Sequence, residues 1–254
     1  MVTGASGGLG GAIARRLAAE GMSVIVTGRR REPLDALAEE IGGKVECVDL
    51  ADRHGLASLL DLAGTVDVLV SNAALPATGR LDDFTVEEID RALDTNLRAP
   101  VLLARAAEAG MTTRHRGHIV FVSSMAAKTP GPSVGLYAAS KAGLRALALS
   151  LREDLHGSGV GVSVIFPGPI SDAGMWADAA IATPFGIRTR TPEAVAHAVV
   201  DAIRHNRAEI EVASPTLRLG ALFAQLRPTW FAALGRRSAG RYADAMTAAG
   251  RAKR

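Results

Sequence analysis

The sequence predicts a doubly wound α/β fold, a parallel sheet of about seven strands with helices on both faces, formed as one domain. Three observations carry this. Short β-branched runs are apolar almost without interruption, as strands covered on both sides must be. Longer amphipathic stretches separate them. A glycine-rich turn joins the first strand to the first helix.

Only Met1 and Val2 precede Thr3. A central strand usually runs to about five or six residues. The expectation is therefore that the natural chain begins upstream of Met1, the alternative being that two residues suffice. Residues 3–10 read TGASGGLG, and a helix is expected over 9–20. SVIVT (23–27), KVECV (44–48), VDVLV (66–70), HIVFV (118–122), VSVIF (162–166) and EIEVA (209–213) are the further strands. Helices are expected between them at 32–41, 53–63, 85–109, 136–156 and 192–205. No repeat, low-complexity stretch or linker divides the chain. Residues 1–215 read as the dinucleotide-binding unit, including a substrate loop at 171–190, and 216–254 as a helical extension of the same domain.

At 254 residues, 48% hydrophobic and 22% charged, the chain is long enough for one large core. A net charge of +3 is too small to imply nucleic acid. Cys47 is the only cysteine, which excludes an intrachain disulfide. No apolar run approaches the roughly 18 residues of a membrane span. No leader pattern precedes the first motif. The expected compartment is cytoplasmic.

Tyr137 and Lys141 are four residues apart in a helical pattern and so share one helix face. An ammonium beside a phenol favours its ionised form. Lowering a phenol by roughly three pKa units takes about 4 kcal/mol of differential stabilisation. Ser124 ends a strand thirteen residues before Tyr137, where its hydroxyl can hold the oxygen that the phenol protonates. In the opening motif, Gly4, Gly8 and Gly10 let the backbone turn tightly beside a pyrophosphate, which then meets a helix N-terminus. Such a turn alone is common in a chain with 27 glycines.

TGASGGLG, Asp49-Leu50, SNAA at 71–74, Asn96, Ser124, Tyr137, Lys141 and PGPI at 167–170 resemble, in order and spacing, the classical short-chain dehydrogenases/reductases. The likeness covers residues 1–215. It implies a Rossmann-type fold and a hydride-transferring oxidoreductase with a nicotinamide cofactor. Implied cofactor contacts are Gly4, Ser6, Gly8, Leu9 and Gly10 at the phosphates, and Asp49 and Leu50 at the adenine. Asn72, Ala73 and Ala74 line the ribose, while Pro167, Gly168 and Ile170 stand at the nicotinamide. Tyr137 becomes acid or base, Lys141 tunes it and holds the other ribose, Ser124 orients the substrate oxygen, and Asn96 anchors a proton-relaying water. The family's usual NNAG is SNAA here, and the threonine often found after PG is absent.

The end of the second strand carries Arg29, Arg30 and Arg31 and no carboxylate until Glu32. A 2′-phosphate prefers a guanidinium where a free ribose prefers an acid, so NADP(H) is favoured over NAD(H) through Arg29 and then Arg30. Alternatively these arginines form a solvated turn. Met175, Trp176 and Phe185 make the 171–190 loop an expected lid for a lipophilic carbonyl or alcohol. Alanines in the helix from Tyr137 to His156 suit close pairing in a homodimer or homotetramer. Leu219, Leu222, Phe223, Leu226 and Trp230 lie at helical spacing among arginines, so 216–237 is a candidate for peripheral membrane contact or for packing. His115 and His118 are expected on a surface turn, and no further cluster suggests a metal. Gly4 to Gly8 also matches GxSxG, but a nucleophile elbow needs earlier strands that Ser6 lacks. The favoured function is an NADP(H)-dependent oxidoreductase interconverting a carbonyl and a secondary alcohol. The other reading is a catalytically silent dinucleotide-binding regulator or scaffold.

Overall fold

Residue parity along each strand decides which helical layer its side chains meet. The computed structural model describes residues 1–172, 187–235 and 247–248. Strands β1 (Val2–Thr3), β2 (Ile25–Gly28), β3 (Lys44–Cys47), β4 (Val68–Ser71), β5 (Gly117–Val122), β6 (Val160–Pro167) and β7 (Glu209–Val212) form one sheet. They pair in parallel in the order β3-β2-β1-β4-β5-β6-β7. The described helices are α1 (Gly8–Ala19), α2 (Arg31–Ile41), α3 (Leu56–Ala63), α4 (Val86–Leu93), α5 (Ala99–Thr113), α6 (Gly135–Asp154), α7 (Pro192–His205), α8 (Pro215–Leu226) and α9 (Pro228–Gly235).

Val70, Val120, Val122 and Ile165 pack with Ile13 and Leu17 of α1, Leu34 of α2 and Val199 of α7. Their neighbours Leu69, Ile119, Phe121 and Val164 meet Leu56 of α3, Leu103 of α5 and Leu144 of α6 on the opposite face. The predicted fold class and seven strands are thus observed. Burying each such side chain contributes about 1.5–3 kcal/mol, so the two layers dominate the stability.

The central slot is filled by a very short strand. Val2 pairs with Val26 on one side and Val70 on the other, and is fully buried. Val70 donates its amide to the Met1 carbonyl (2.9 Å), and the Met1 amine donates to the Val68 carbonyl (2.8 Å). Burial pushes that amine down to about 5, with Asp67 acting in the opposite sense.

Two expectations are corrected. The helix foreseen over 85–109 is broken: α4 is followed by a π-helical segment, Asp94–Arg98, before α5 runs on to Thr113. Periodicity cannot distinguish one inserted residue in a helix from a continuous one. His118, expected on the surface, is instead buried in β5, where its Nε2 lies 2.8 Å from Ser163 Oγ. Only His115, at φ 51°, lies in the turn. Met175, Trp176 and Phe185 of the expected lid lie outside the described residues, as do Arg236 and Arg237.

Burial, and then the Arg152 charge, push His118 down to about 4. The unfolded chain takes up a proton near the ordinary histidine value of about 6.5, whereas the folded chain does not until lower pH. The stability that His118 contributes is therefore complete above pH 6.5 and is lost as pH falls toward 4. Urea unfolding should show this as a loss of up to about 1.4 kcal/mol per pH unit, which a His118→Gln variant lacks.

Candidate active site

The strand order reverses between β1 and β4, which leaves a crevice at their carboxyl ends. The turn leaving β1 builds its floor. Gly4 sits at φ 69°, and a Cβ there would stand 2.8 Å from Ala73 Cα. A Cβ on Gly10 would stand 2.3 Å from the Gly4 carbonyl oxygen. Neither position admits another residue without displacing backbone. Gly7 precedes α1 and offers no side-chain cap, so the first-turn amides of α1 face outward without a competing acceptor from the cap. This cradle fits a pyrophosphate by shape and by the positive end of the helix.

The opposite wall is the segment after β4. Its amides at Asn72 and Ala73 both donate to Thr3 Oγ1 (2.9 and 3.0 Å), and Asn72 Nδ2 donates to the Thr3 carbonyl (3.0 Å). Further along, Leu75 is held by both polar atoms of one side chain. Its amide donates to Asn96 Oδ1 (2.6 Å), and its carbonyl accepts from Asn96 Nδ2 (2.9 Å). Asn96 is fully buried within the π-helical segment. The asparagine picked out by motif therefore fastens a wall of the crevice with its side chain.

Ser124 follows β5 in extended conformation and accepts the amide of Ala126 (3.1 Å) through its hydroxyl. The same side chain bonds Tyr137, which is buried in α6. One turn on, Lys141 is 2% exposed and donates its ammonium to the Val122 carbonyl (2.9 Å). Its Nζ lies 5.8 Å from the centre of the Tyr137 ring. Ser123 reinforces the junction by donating to the Lys141 carbonyl (2.8 Å). Ser124, Tyr137 and Lys141 are thus brought together as expected.

Burial governs the ionisation of this pair. Burial pushes Tyr137 up to about 12, against which the Ser124 bond works, and burial alone pushes Lys141 down to about 8. Burial thus favours the neutral form of the Tyr137 phenol.

Residues 1–182 match the model of the short chain dehydrogenase family. The chain belongs to that family. A short-chain dehydrogenase of this kind is an oxidoreductase acting on CH–OH groups. Ketoacyl reductase HetN of Nostoc sp. is 35% identical over 221 residues, which span 84% of this chain and 77% of the relative. The NADP-dependent 3-hydroxy acid dehydrogenase YdfG of Salmonella typhi is 41% identical over 176 residues, 66% of this chain and 71% of the relative. Among solved structures, a short-chain dehydrogenase from Burkholderia cenocepacia in complex with NADP superposes with a TM-score of 0.70 at 30% identity, covering 83% of this chain and 94% of that one. One from Sphingobium yanoikuyae in complex with NADPH gives 0.77 at 25% identity, covering 90% and 93%.

At the far end of this dehydrogenase's crevice, Arg30 donates to the Ser6 carbonyl on the glycine-rich turn. Arg29 is exposed and close enough to influence Asp49. Burial pushes the Asp49 carboxyl up, but the Ala51 amide, Arg91 and Arg29 together hold it below its usual range. Arg91 Nη2 donates to Asp49 Oδ2 (2.8 Å), a contact between α4 and the loop after β3 that the sequence did not announce. Leu50 is buried in the core beneath. At the other end, the Gly168 amide donates to the Val212 carbonyl (3.0 Å), Pro167 ends β6, and Ile170 bridges to Arg190.

Sequence reasoning also missed Thr3 and Lys128. Thr3 adjoins the glycine turn, and its hydroxyl accepts two amides across the crevice. Lys128, just beyond the Ser124 turn, is buried over the Phe166 ring and donates to Glu209 (2.7 Å) and Glu211 (2.8 Å) of β7. Nothing local in the sequence pairs residues about eighty positions apart. Replacing Thr3 with Val keeps the shape but strands the Asn72 and Ala73 amides. Urea denaturation should show a loss of about 1–3 kcal/mol for the variant.

Proposed function

We propose that this chain is an NADP(H)-dependent carbonyl reductase and alcohol dehydrogenase acting on a lipophilic substrate. The observation that carries the reading is the convergence of Ser124, Tyr137 and Lys141 at the carboxyl end of β5, all at least half-buried and hydrogen-bonded. A nicotinamide cofactor supplies hydride to the carbonyl carbon when bound. The protein's share is to orient the oxygen and control its proton. Ser124 Oγ holds the substrate oxygen, and Tyr137 Oη donates its proton as charge builds there. In the oxidative direction the phenolate accepts it. Lys141 supplies the nearby positive charge that stabilises this phenolate. Asn96 keeps the Leu75 segment in place and offers its main chain to a water leading to Lys141.

The cradle at Gly4, Gly8 and Gly10, with Ser6 and Leu9, would take the pyrophosphate. Asn72, Ala73 and Ala74 would border the adenine ribose, with Asp49 and Leu50 at the adenine. Pro167, Gly168 and Ile170 would border the nicotinamide. Support for the 2′-phosphate comes from Arg29 and Arg30 at the end of β2, and from an NADP-dependent relative and NADP-bound solved structures. The apolar residues Met175, Trp176 and Phe185 support a lipophilic substrate.

Fluorescence titration should show NADPH binding at least about tenfold more tightly than NADH, a difference of about 1.4 kcal/mol. Arg29→Ala and Arg30→Ala should each narrow that gap and leave NADH affinity nearly unchanged. Equal affinities in the unaltered protein would overturn the cofactor assignment.

Turnover is tested by following NADPH oxidation across aldehydes, ketones, steroids and quinones. With an accepted substrate, Tyr137→Phe should bind NADPH almost normally and turn over on the order of 100-fold more slowly or worse. Ser124→Ala should lose mainly turnover, and Lys141→Ala both turnover and cofactor affinity. Near-normal turnover by Tyr137→Phe would place the proton donor elsewhere. NADPH binding with no turnover on any substrate class would favour the regulatory reading.

A further inference from the structure

The carboxyl-terminal part of the chain differs from the rest in both charge and surface. Residues 215–254 carry eight Lys and Arg against one acid, Asp244, whereas residues 1–214 carry 21 basic and 25 acidic side chains. Within this segment α8 is set against the protein by its small residues: Ala221 and Ala224 are buried. Its other face is apolar and open. Leu219, Leu222, Phe223 and Leu226 follow helical spacing and are 69, 55, 40 and 68% exposed, and Trp230 of α9 is 69% exposed. Such a stripe on a packed helix normally turns inward. Here the inward face is the alanine face. Arg227 stands exposed at the junction of the two helices.

We infer that α8 and α9 form a docking surface for an anionic lipid membrane. The apolar stripe supplies the part that enters the acyl boundary, an indole suits the headgroup level, and the excess of cations supplies attraction to acidic headgroups. Charge decides against a second copy of the chain as the occupant. With eight basic residues against one acid in its sequence, the segment favours an anionic occupant over a second copy of the same segment. The surface lies close to the proposed catalytic crevice. A Cβ on Gly168 would stand 3.2 Å from Leu217 Cδ2, so α8 begins beside the proposed nicotinamide end. A lipophilic substrate would then reach the site from the lipid phase. No described helix is long and apolar enough to cross a membrane, so the contact is peripheral.

The test is flotation of the full-length protein at physiological salt with vesicles of phosphatidylcholine, alone or mixed with phosphatidylglycerol. Binding to the mixed vesicles should be at least about tenfold tighter and should weaken with added salt. Leu222→Glu combined with Trp230→Glu should reduce it at least about tenfold while circular dichroism and the unfolding midpoint are unchanged. If that variant does not fold, Trp230→Ser, at an exposed position, carries the same comparison. Failure to float with the mixed vesicles, equal binding to both vesicle types, or undiminished binding by the folded variant would each overturn the proposal. So would a variant that falls to a smaller species in light scattering yet still floats, since the face would then join subunits. Because the readout is vesicle binding, its failure leaves the carbonyl-reductase reading untouched, and failure of that reading leaves this one to stand or fall by flotation.

Discussion

The reversal of winding direction between β1 and β4 governs the rest of the molecule. Connections leaving these neighbouring strands depart toward opposite faces, so a gap is left between their carboxyl ends. The glycine turn and the Asn72–Ala73 segment face each other across it. Thr3 ties its two sides together with one hydroxyl, and Gly4 and Gly10 let them approach to van der Waals distance. A side chain at either glycine would separate the walls that the threonine joins.

A second constraint is desolvation. The protein buries a phenol and an amine one helical turn apart, and burial drives each toward its neutral form. Water would level both groups, whereas burial makes their states depend on the dipoles and charges nearby. Val122's carbonyl and Ser124's hydroxyl are the nearby groups that the fold supplies. The ionisation of both groups is therefore sensitive to any charge brought beside them.

The supports of the site come from distant parts of the chain. The Ser124 turn rests on Lys128, whose ammonium is shared by Glu209 and Glu211; Arg145 of α6 joins Glu209 and Arg218 of α8 joins Glu211. Burial alone would raise the Glu209 carboxyl, and the Arg145 and Lys128 bonds reverse the sign. This network links the Ser124 turn, the last strand and the first helix of the basic extension. The buried Lys128 ammonium in particular would be costly without its two carboxylates.

The alternation of apolar runs made the sheet and its helices legible, because burial on both faces leaves a mark at every strand position. Spacing likewise exposed Tyr137 and Lys141, which a helix places on one side by its own geometry. Ser124, Asn96 and the glycine turn were legible as motifs, although the clasp that Asn96 makes on Leu75 was not. Nor was the π-helical segment that holds it, since helical periodicity tolerates one extra residue without visible change. His118 was misplaced because a histidine at a strand entrance carries no local sign of burial. What the sequence by itself determined was the class of fold and the residue types that converge, since both depend on short-range periodicity. Only the tertiary structure decided the burial of Tyr137 and Lys141, the Thr3 clasp, the partners of Lys128 and the outward face of α8. Those properties arise from desolvation and from contacts between residues far apart in the chain, on which local pattern is silent.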